Sequence, residues 1–188
     1  MYTICLQSMT IIDQLPDNLP DSIEKIERAF QDCQKEKREI VKTRTFVVVP
    51  KEEYKNYLTA ALESLKAAQV LFDNECYEWV MVPAYSAIYQ AGNAILIKDL
   101  GKECRDHFCL LISLLRAKKI GWTEMKNASY IKEQLAIISD EDIKFASKLR
   151  LVRSAVIYKP ARDYNEKLIA EEVIKRAKSF VNNVLSIP

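Results

Sequence analysis

The sequence is poor in glycine and histidine, with 3 Gly and 1 His among 188 residues. So few glycines argue against an all-β fold with many tight turns and against a glycine-rich phosphate loop. A single histidine, beside five cysteines that form no Cys-x-x-Cys pair, gives little support to a zinc site. The composition therefore predicts neither a metal site nor a bound cofactor.

Long apolar runs are also missing. No stretch approaches the roughly 20 apolar residues of a membrane span, and the first residues do not have the pattern of a signal peptide. An odd number of scattered cysteines is typical of a reducing compartment, where thiols stay unpaired and act as small apolar residues. We therefore expect a cytoplasmic protein with no membrane contact.

The remaining composition is that of a globular protein, with 49% hydrophobic and 29% charged residues. Its length predicts one domain with an appendage, large enough to bury a core without disulfides. A net charge of +2 does not by itself indicate a nucleic-acid-binding protein, so any such surface must come from local clustering.

Helical periodicity runs through residues 50–186. It predicts helices at about 50–72, 77–100, 104–118, 123–138, 140–158 and 166–185. Short helices with short connections are typical of an antiparallel bundle. We expect an all-α, antiparallel up-and-down bundle of four to five core helices, with the helix at about 123–138 as an insertion.

Residues 1–48 are predicted to form an N-terminal extension. It contains a helix at about 22–40, in which Asp21 is the expected N-cap and Glu24 completes a capping box. The β-branched run at 45–49 favours extended backbone before Pro50, so it is interpreted as a linker lying along the body.

Six basic residues and no acidic residue lie between positions 144 and 162. They are Lys144, Lys148, Arg150, Arg153, Lys159 and Arg162. The cluster is consistent with a surface that meets phosphates. It is equally consistent with a helix that has acids at its start, residues 140–142, and cations toward its end. Those acids are read as capping residues rather than metal ligands.

Three stretches together resemble the HEPN superfamily, in particular the small prokaryotic type often encoded beside a minimal nucleotidyltransferase. They are residues 57–79, the Ala-Tyr-Ser-Ala-Ile-Tyr helix that begins at Ala84, and the segment 149–158, which contains Arg-x-x-Arg and ends in Tyr. Gly101 and His107 follow the second stretch, as a turn and a histidine do in the family. The resemblance covers roughly residues 52–185.

The resemblance implies a homodimer in which Arg153 and Tyr158 line a cleft between protomers, with Tyr158 at the position of the family's motif histidine. RNA or a nucleotide would bind there through a set of basic residues, and a nucleotidyltransferase is the implied protein partner. The basic residues are Lys148, Arg150, Arg153, Lys159 and Arg162. Tyr85 and Tyr89 are expected as core or dimer contacts, and Arg153 could alternatively pair with a carboxylate at an interface.

Tyrosine is a poor general base at neutral pH, because its reference pKa is about 10 whereas that of histidine is about 6.5. Tyr158 therefore predicts weak or no catalysis. One alternative is a metal-independent endoribonuclease in which Tyr158, or His107 brought close by the fold, acts as the base; otherwise His107 is a structural residue of a first helical turn. Another is a non-enzymatic interaction protein that uses the helix at about 22–40. Whether the protein is an enzyme stays open.

Overall fold

The computed structural model describes residues 12, 15, 18–35, 45–121, 134–158 and 166–187, the last two ranges without the side chains of residues 155–158 and 166. Within these residues lie six α-helices and two short strands. They are α1 Ile23–Gln34, β1 Phe46–Val48, α2 Tyr54–Asp73, α3 Met81–Leu100, β2 Lys102–Cys104, α4 His107–Ile120, α5 Asp140–Tyr158 and α6 Glu166–Leu185. The predicted all-α class is confirmed.

α3 is the central helix of the bundle. Apolar residues surround it on most sides, and twelve of its residues are buried, among them Tyr85 and Ile88. Pro83 lies in its first turn, where a missing amide donor costs little. The stretch Tyr77–Leu100 is long and apolar enough to cross a membrane, but 72% of its most apolar window is buried inside the bundle. The apolar character is therefore explained by its place in the core.

Contacts between named residues give the helix directions. Arg153 near the end of α5 contacts Tyr85 near the start of α3, so these two helices are antiparallel. Lys118 at the end of α4 lies 2.7 Å from Asp140 at the start of α5. The Asn183 amide, late in α6, donates to the Ile137 carbonyl just before α5. α5 is thus antiparallel to its three neighbours.

The strands form a two-stranded antiparallel sheet in which Phe46 pairs with Cys104 and Val48 with Lys102. The predicted extended run before Pro50 is confirmed. Gly101 ends α3 with φ +64°, a conformation that favours glycine, and its carbonyl accepts a hydrogen bond from the Val49 amide at 2.9 Å. The predicted helix start at about residue 104 is wrong, because β2 occupies 102–104 and α4 begins at His107.

α1 differs from its prediction at both ends. Its N-cap is Ser22, whose hydroxyl accepts from the Lys25 amide at 3.3 Å, whereas Asp21 forms an ion pair with the Lys25 side chain. The described helix ends at Gln34 rather than near residue 40, and Lys35 has extended backbone. The expected continuation over residues 36–44 lies outside the described residues.

The expectation that the cysteines are unpaired is wrong for two of them. Cys33 of α1 and Cys109 of α4 form a disulfide across 76 residues of sequence. Cys76 is exposed and free, and Cys104 is buried and free. Sequence spacing gave no signal for this pair, because it depends on how α1 packs against α4.

The predicted insertion at about 123–138 falls mostly outside the described residues, which resume at 134. Gln134 and Leu135 are helical, and a turn leads from them to the N-cap of α5. At that cap the Ser139 hydroxyl accepts from the Asp142 amide at 3.0 Å, and the Asp142 carboxylate accepts from the Ser139 amide at 2.8 Å. The reciprocal pair confirms the predicted capping role of this acidic segment.

Candidate functional site

Two arginines of α5 form one side of the candidate site. Arg150 and Arg153 are three residues apart and therefore share a helix face. The Arg153 guanidinium carbon lies 5.0 Å from the centre of the Tyr85 ring, and that of Arg150 lies 5.5 Å from the centre of the Phe108 ring. Contacts of this kind hold a cation near a ring without neutralising its charge.

Neither arginine forms an ion pair with a carboxylate that the structure describes. The Nε atoms of both are buried and have no hydrogen-bond partner among the described residues. A buried donor without a partner costs on the order of 1–3 kcal/mol. The two guanidinium groups therefore form a local positive charge with unused hydrogen-bonding capacity.

His107 forms the opposite side of the site and is the first residue of α4. The N-cap Asp106 fixes that turn, because its carboxylate accepts from the amides of Phe108 at 3.0 Å and Cys109 at 2.9 Å. The Tyr85 hydroxyl lies 3.1 Å from Nδ1 of His107. The Tyr89 ring lies against the imidazole, with 4.2 Å between ring centres.

The surroundings of His107 favour its neutral form. Burial lowers the pKa of the imidazole, and the positive charges of Arg153 and Arg150 lower it further, whereas Asp106 acts in the opposite direction. The pKa of Tyr85 is raised, chiefly by burial, so its hydroxyl keeps its proton. The site at neutral pH thus contains two cations, a neutral imidazole and a protonated phenol.

The Tyr85 hydroxyl determines which nitrogen of His107 bears the proton. This tyrosine is 1% exposed, and Nδ1 of His107 is the acceptor that the described residues offer to its O–H. A donated bond to Nδ1 requires a lone pair there, so the imidazole proton resides on Nε2. In this tautomer Nε2 is a hydrogen-bond donor and not a base.

A buried polar network anchors the chain segment that leads into this site. Asn93 of α3 accepts from the Cys104 amide at 2.7 Å and donates to the Cys104 carbonyl at 3.1 Å. The Tyr89 hydroxyl donates to the same carbonyl at 2.7 Å. These bonds fix the end of β2 on α3, and α4 with His107 begins directly after it.

The structure brings together some of the residues singled out in the sequence. Arg150, Arg153 and Tyr85 share one cluster with Tyr89, which contacts His107. Lys148 is half-buried on α5. The side chain of Tyr158, and all of Lys159 and Arg162, lie outside the described residues.

Three neighbours of the arginines did not emerge as site residues from the sequence. Asp106 and Phe108 were not singled out, and His107 was read mainly as a structural residue of a first turn. It is in the first turn of α4, and the fold also sets it beside Arg153. The Asp-His-Phe order carries an N-cap signal, but nothing in it indicates proximity to α5.

Comparison with known proteins adds a family to this geometry. The sequence profile of the HEPN domain matches residues 54–187, which span α2 to α6 and include the whole cluster. No curated protein matches the chain. The matched region covers well over half of the sequence, and the chain belongs to the HEPN domain family.

Proposed function

We propose that this HEPN domain binds a phosphate group of a nucleotide or of RNA between Arg150, Arg153 and His107. The observation that supports the proposal is the pair of guanidinium groups with buried, unpartnered Nε atoms beside a histidine. A phosphate supplies several strong acceptors and negative charge, so it compensates both the unused donors and the mutual repulsion of the cations. The nucleotide- and RNA-related character of HEPN domains in general points to the same ligand class.

His107 contributes a third donor in this arrangement. With its proton on Nε2 it offers an N–H, and no described residue uses that nitrogen. Uncharged donors beside arginines bind an anion without adding to the repulsion between the cations. The tautomer set by Tyr85 therefore suits binding better than proton abstraction.

Binding of a fluorescently labelled single-stranded RNA, followed by anisotropy, tests this proposal. Arg153→Gln and Arg150→Gln are each expected to weaken binding about tenfold to hundredfold, the range for a charge-assisted hydrogen bond. Each is also expected to lower the slope of log K against log salt by about 0.7, the value for one lost phosphate contact on a single strand. Arg28→Gln removes the same charge from an exposed position on α1 and serves as the matched control. Equal affinities for all three variants would contradict the proposal.

A second candidate function is metal-independent RNA cleavage, and the position of His107 favours it. A neutral imidazole next to two arginines is the set of groups that such a reaction needs. The base would take the proton of a ribose 2′-hydroxyl, whose oxygen attacks the adjacent phosphorus and expels the 5′ oxygen of the next nucleotide. This reaction requires the other tautomer, with a lone pair on Nε2.

Two measurements distinguish the functions. The ¹⁵N chemical shifts of the single imidazole report which nitrogen is protonated, and binding without cleavage predicts a proton on Nε2 that moves partly to Nδ1 in Tyr85→Phe. Incubation of RNA with the protein in EDTA is expected to leave the RNA intact. Cleavage that disappears in both His107→Gln and Arg153→Gln would instead support the ribonuclease.

We further propose that the protein is a homodimer in which a second copy closes the phosphate site, as the resemblance implies. A nucleotidyltransferase as partner and a cytoplasmic location are part of the same hypothesis. Co-purification of the chain with a nucleotidyltransferase from its own genome tests the partner.

A further inference from the structure

The disulfide between Cys33 and Cys109 fastens α1 at one end. Cys33 lies in the last turn of α1, and Cys109 lies in the first turn of α4, two residues after His107. Both residues are almost fully buried, at 6% and 5% exposure. The bond thus connects the N-terminal extension to the turn that carries the site histidine.

Non-covalent contacts hold α1 toward its other end. Nε of Arg116, late in α4, lies 3.1 Å from the Glu27 carboxylate, and the Arg116 guanidinium carbon lies 4.5 Å from the centre of the Phe30 ring. Since Glu27 meets the end of α4 and Cys33 meets its start, the two helices are antiparallel. Arg116 and Cys109 are seven residues apart, two helical turns, so they mark the face of α4 that α1 covers.

We propose that the Cys33–Cys109 pair is a redox-controlled clasp that fastens and releases α1. In the oxidised protein the covalent bond keeps the end of α1 on the first turn of α4. After reduction only the contacts around Glu27 and Phe30 remain, and the end of α1 can open. The covered face of α4 then becomes accessible beside the site.

The reaction is a thiol–disulfide exchange with a small dithiol reductant. One thiolate of the reductant attacks a protein sulfur, the S–S bond breaks, and a mixed disulfide forms. The second thiol of the reductant resolves it. Cys33 and Cys109 become thiols with a gain of two electrons and two protons, and the reductant leaves as its disulfide.

The position of Cys33 gives the reductant its entry point. Helix ends fray, and Cys33 is the residue before the last one of α1. The neighbouring free thiol does not compete, because burial raises the pKa of Cys104 to about 12 and leaves almost no thiolate. Exchange is therefore directed to the α1 end of the clasp.

Hydrogen exchange of the α1 amides, read by mass spectrometry, tests the clasp. About 12 residues separate Cys33 from Thr45, where the sheet region begins, and closing a loop of that size changes an opening equilibrium by roughly 100-fold. We expect the α1 amides to exchange about 100-fold faster after treatment with dithiothreitol, and re-oxidation to restore protection. The α6 amides serve as an internal reference.

Two variants complete the experiment. Cys33→Ser is expected to exchange rapidly with or without dithiothreitol, and Cys76→Ser, at an exposed free cysteine, is expected to behave as the unmodified chain. Equal α1 protection in the oxidised and reduced proteins would overturn the proposal. So would a peptide map in which Cys33 and Cys109 remain unlinked after exposure to an oxidised dithiol.

Discussion

His107 is the only histidine of the chain, and its burial makes folding stability depend on pH. Burial and the nearby arginines place its folded-state pKa below the unfolded value of about 6.5. As pH falls through about 6.5, the unfolded chain takes up this proton before the folded protein does. The contribution of a neutral His107 is therefore complete above about pH 6.5 and is lost toward the folded-state pKa.

We predict that the free energy of unfolding falls between about pH 7.5 and about pH 5.5, and that His107→Gln makes this fall shallower. Urea unfolding at several pH values measures both slopes. Asp140 provides an internal check in a lower window. Burial opposes its charged form, but the ion pairs with Lys118 and Lys119 lower its pKa overall, so its contribution disappears only below about pH 4. A variant slope as steep as that of the unmodified chain would contradict the prediction for His107.

Part of the site could be predicted at this scale. Spacing along one helix is a local property, so Arg150 and Arg153 were recognised as a basic pair on one face. Their partner His107 is more than forty positions away in sequence, and only the packing of α4 against α5 brings it close. The choice of Ser22 over Asp21 as N-cap is a similar case, because both residues fit the capping pattern and the geometry of the first turn decides.

α4 is the element on which the site depends most, because its first turn presents His107 and Phe108. That turn is fixed by Asp106, which accepts from two of its amides. Loss of an N-cap typically costs about 1 kcal/mol. A weakened cap would also let the imidazole move relative to Arg153.

We predict that Asp106→Ala lowers the free energy of unfolding by about 1 kcal/mol and weakens RNA binding, whereas Asp106→Asn retains most of the stability. Asparagine keeps the accepting oxygen and removes only the charge. Urea unfolding and anisotropy on the same samples measure the two effects. If Asp106→Asn is as unstable as Asp106→Ala, the charge rather than the cap carries the effect.

Helices with a strong apolar period were predicted well. α3, α5 and α6 follow their predicted bounds closely, because their buried positions repeat every three or four residues. The start of α4 was misplaced because Lys102–Cys104 forms a strand only in the presence of β1, more than fifty residues earlier. A pairing of that kind leaves no periodic trace in either segment.

The whole molecule raises the question of assembly. A chain of 21.7 kDa with two arginines that no described carboxylate neutralises gives a positively charged surface on the bundle. Our proposal places a second copy against that surface. Repulsion between two such surfaces would be relieved by a bound anion, so dimer formation and phosphate binding are expected to support each other.

We predict that sedimentation equilibrium gives about twice the chain mass and that added nucleotide or short RNA tightens the dimer. Arg153→Gln should abolish the effect of the ligand on assembly, and Arg28→Gln should preserve it. A monomer at all concentrations, with or without RNA, would remove the two-chain site from the hypothesis.

The β1–β2 pair has a consequence for where the folding unit begins. The family match starts at residue 54, yet β1 at Phe46–Val48 lies upstream of it and satisfies the backbone of β2. A protein trimmed to the matched region would leave Lys102–Cys104 as an open sheet edge, the kind of surface that recruits strands from other molecules. That bare edge would stand immediately before Asp106 and His107, so the boundary for a well-behaved fragment falls ahead of residue 45.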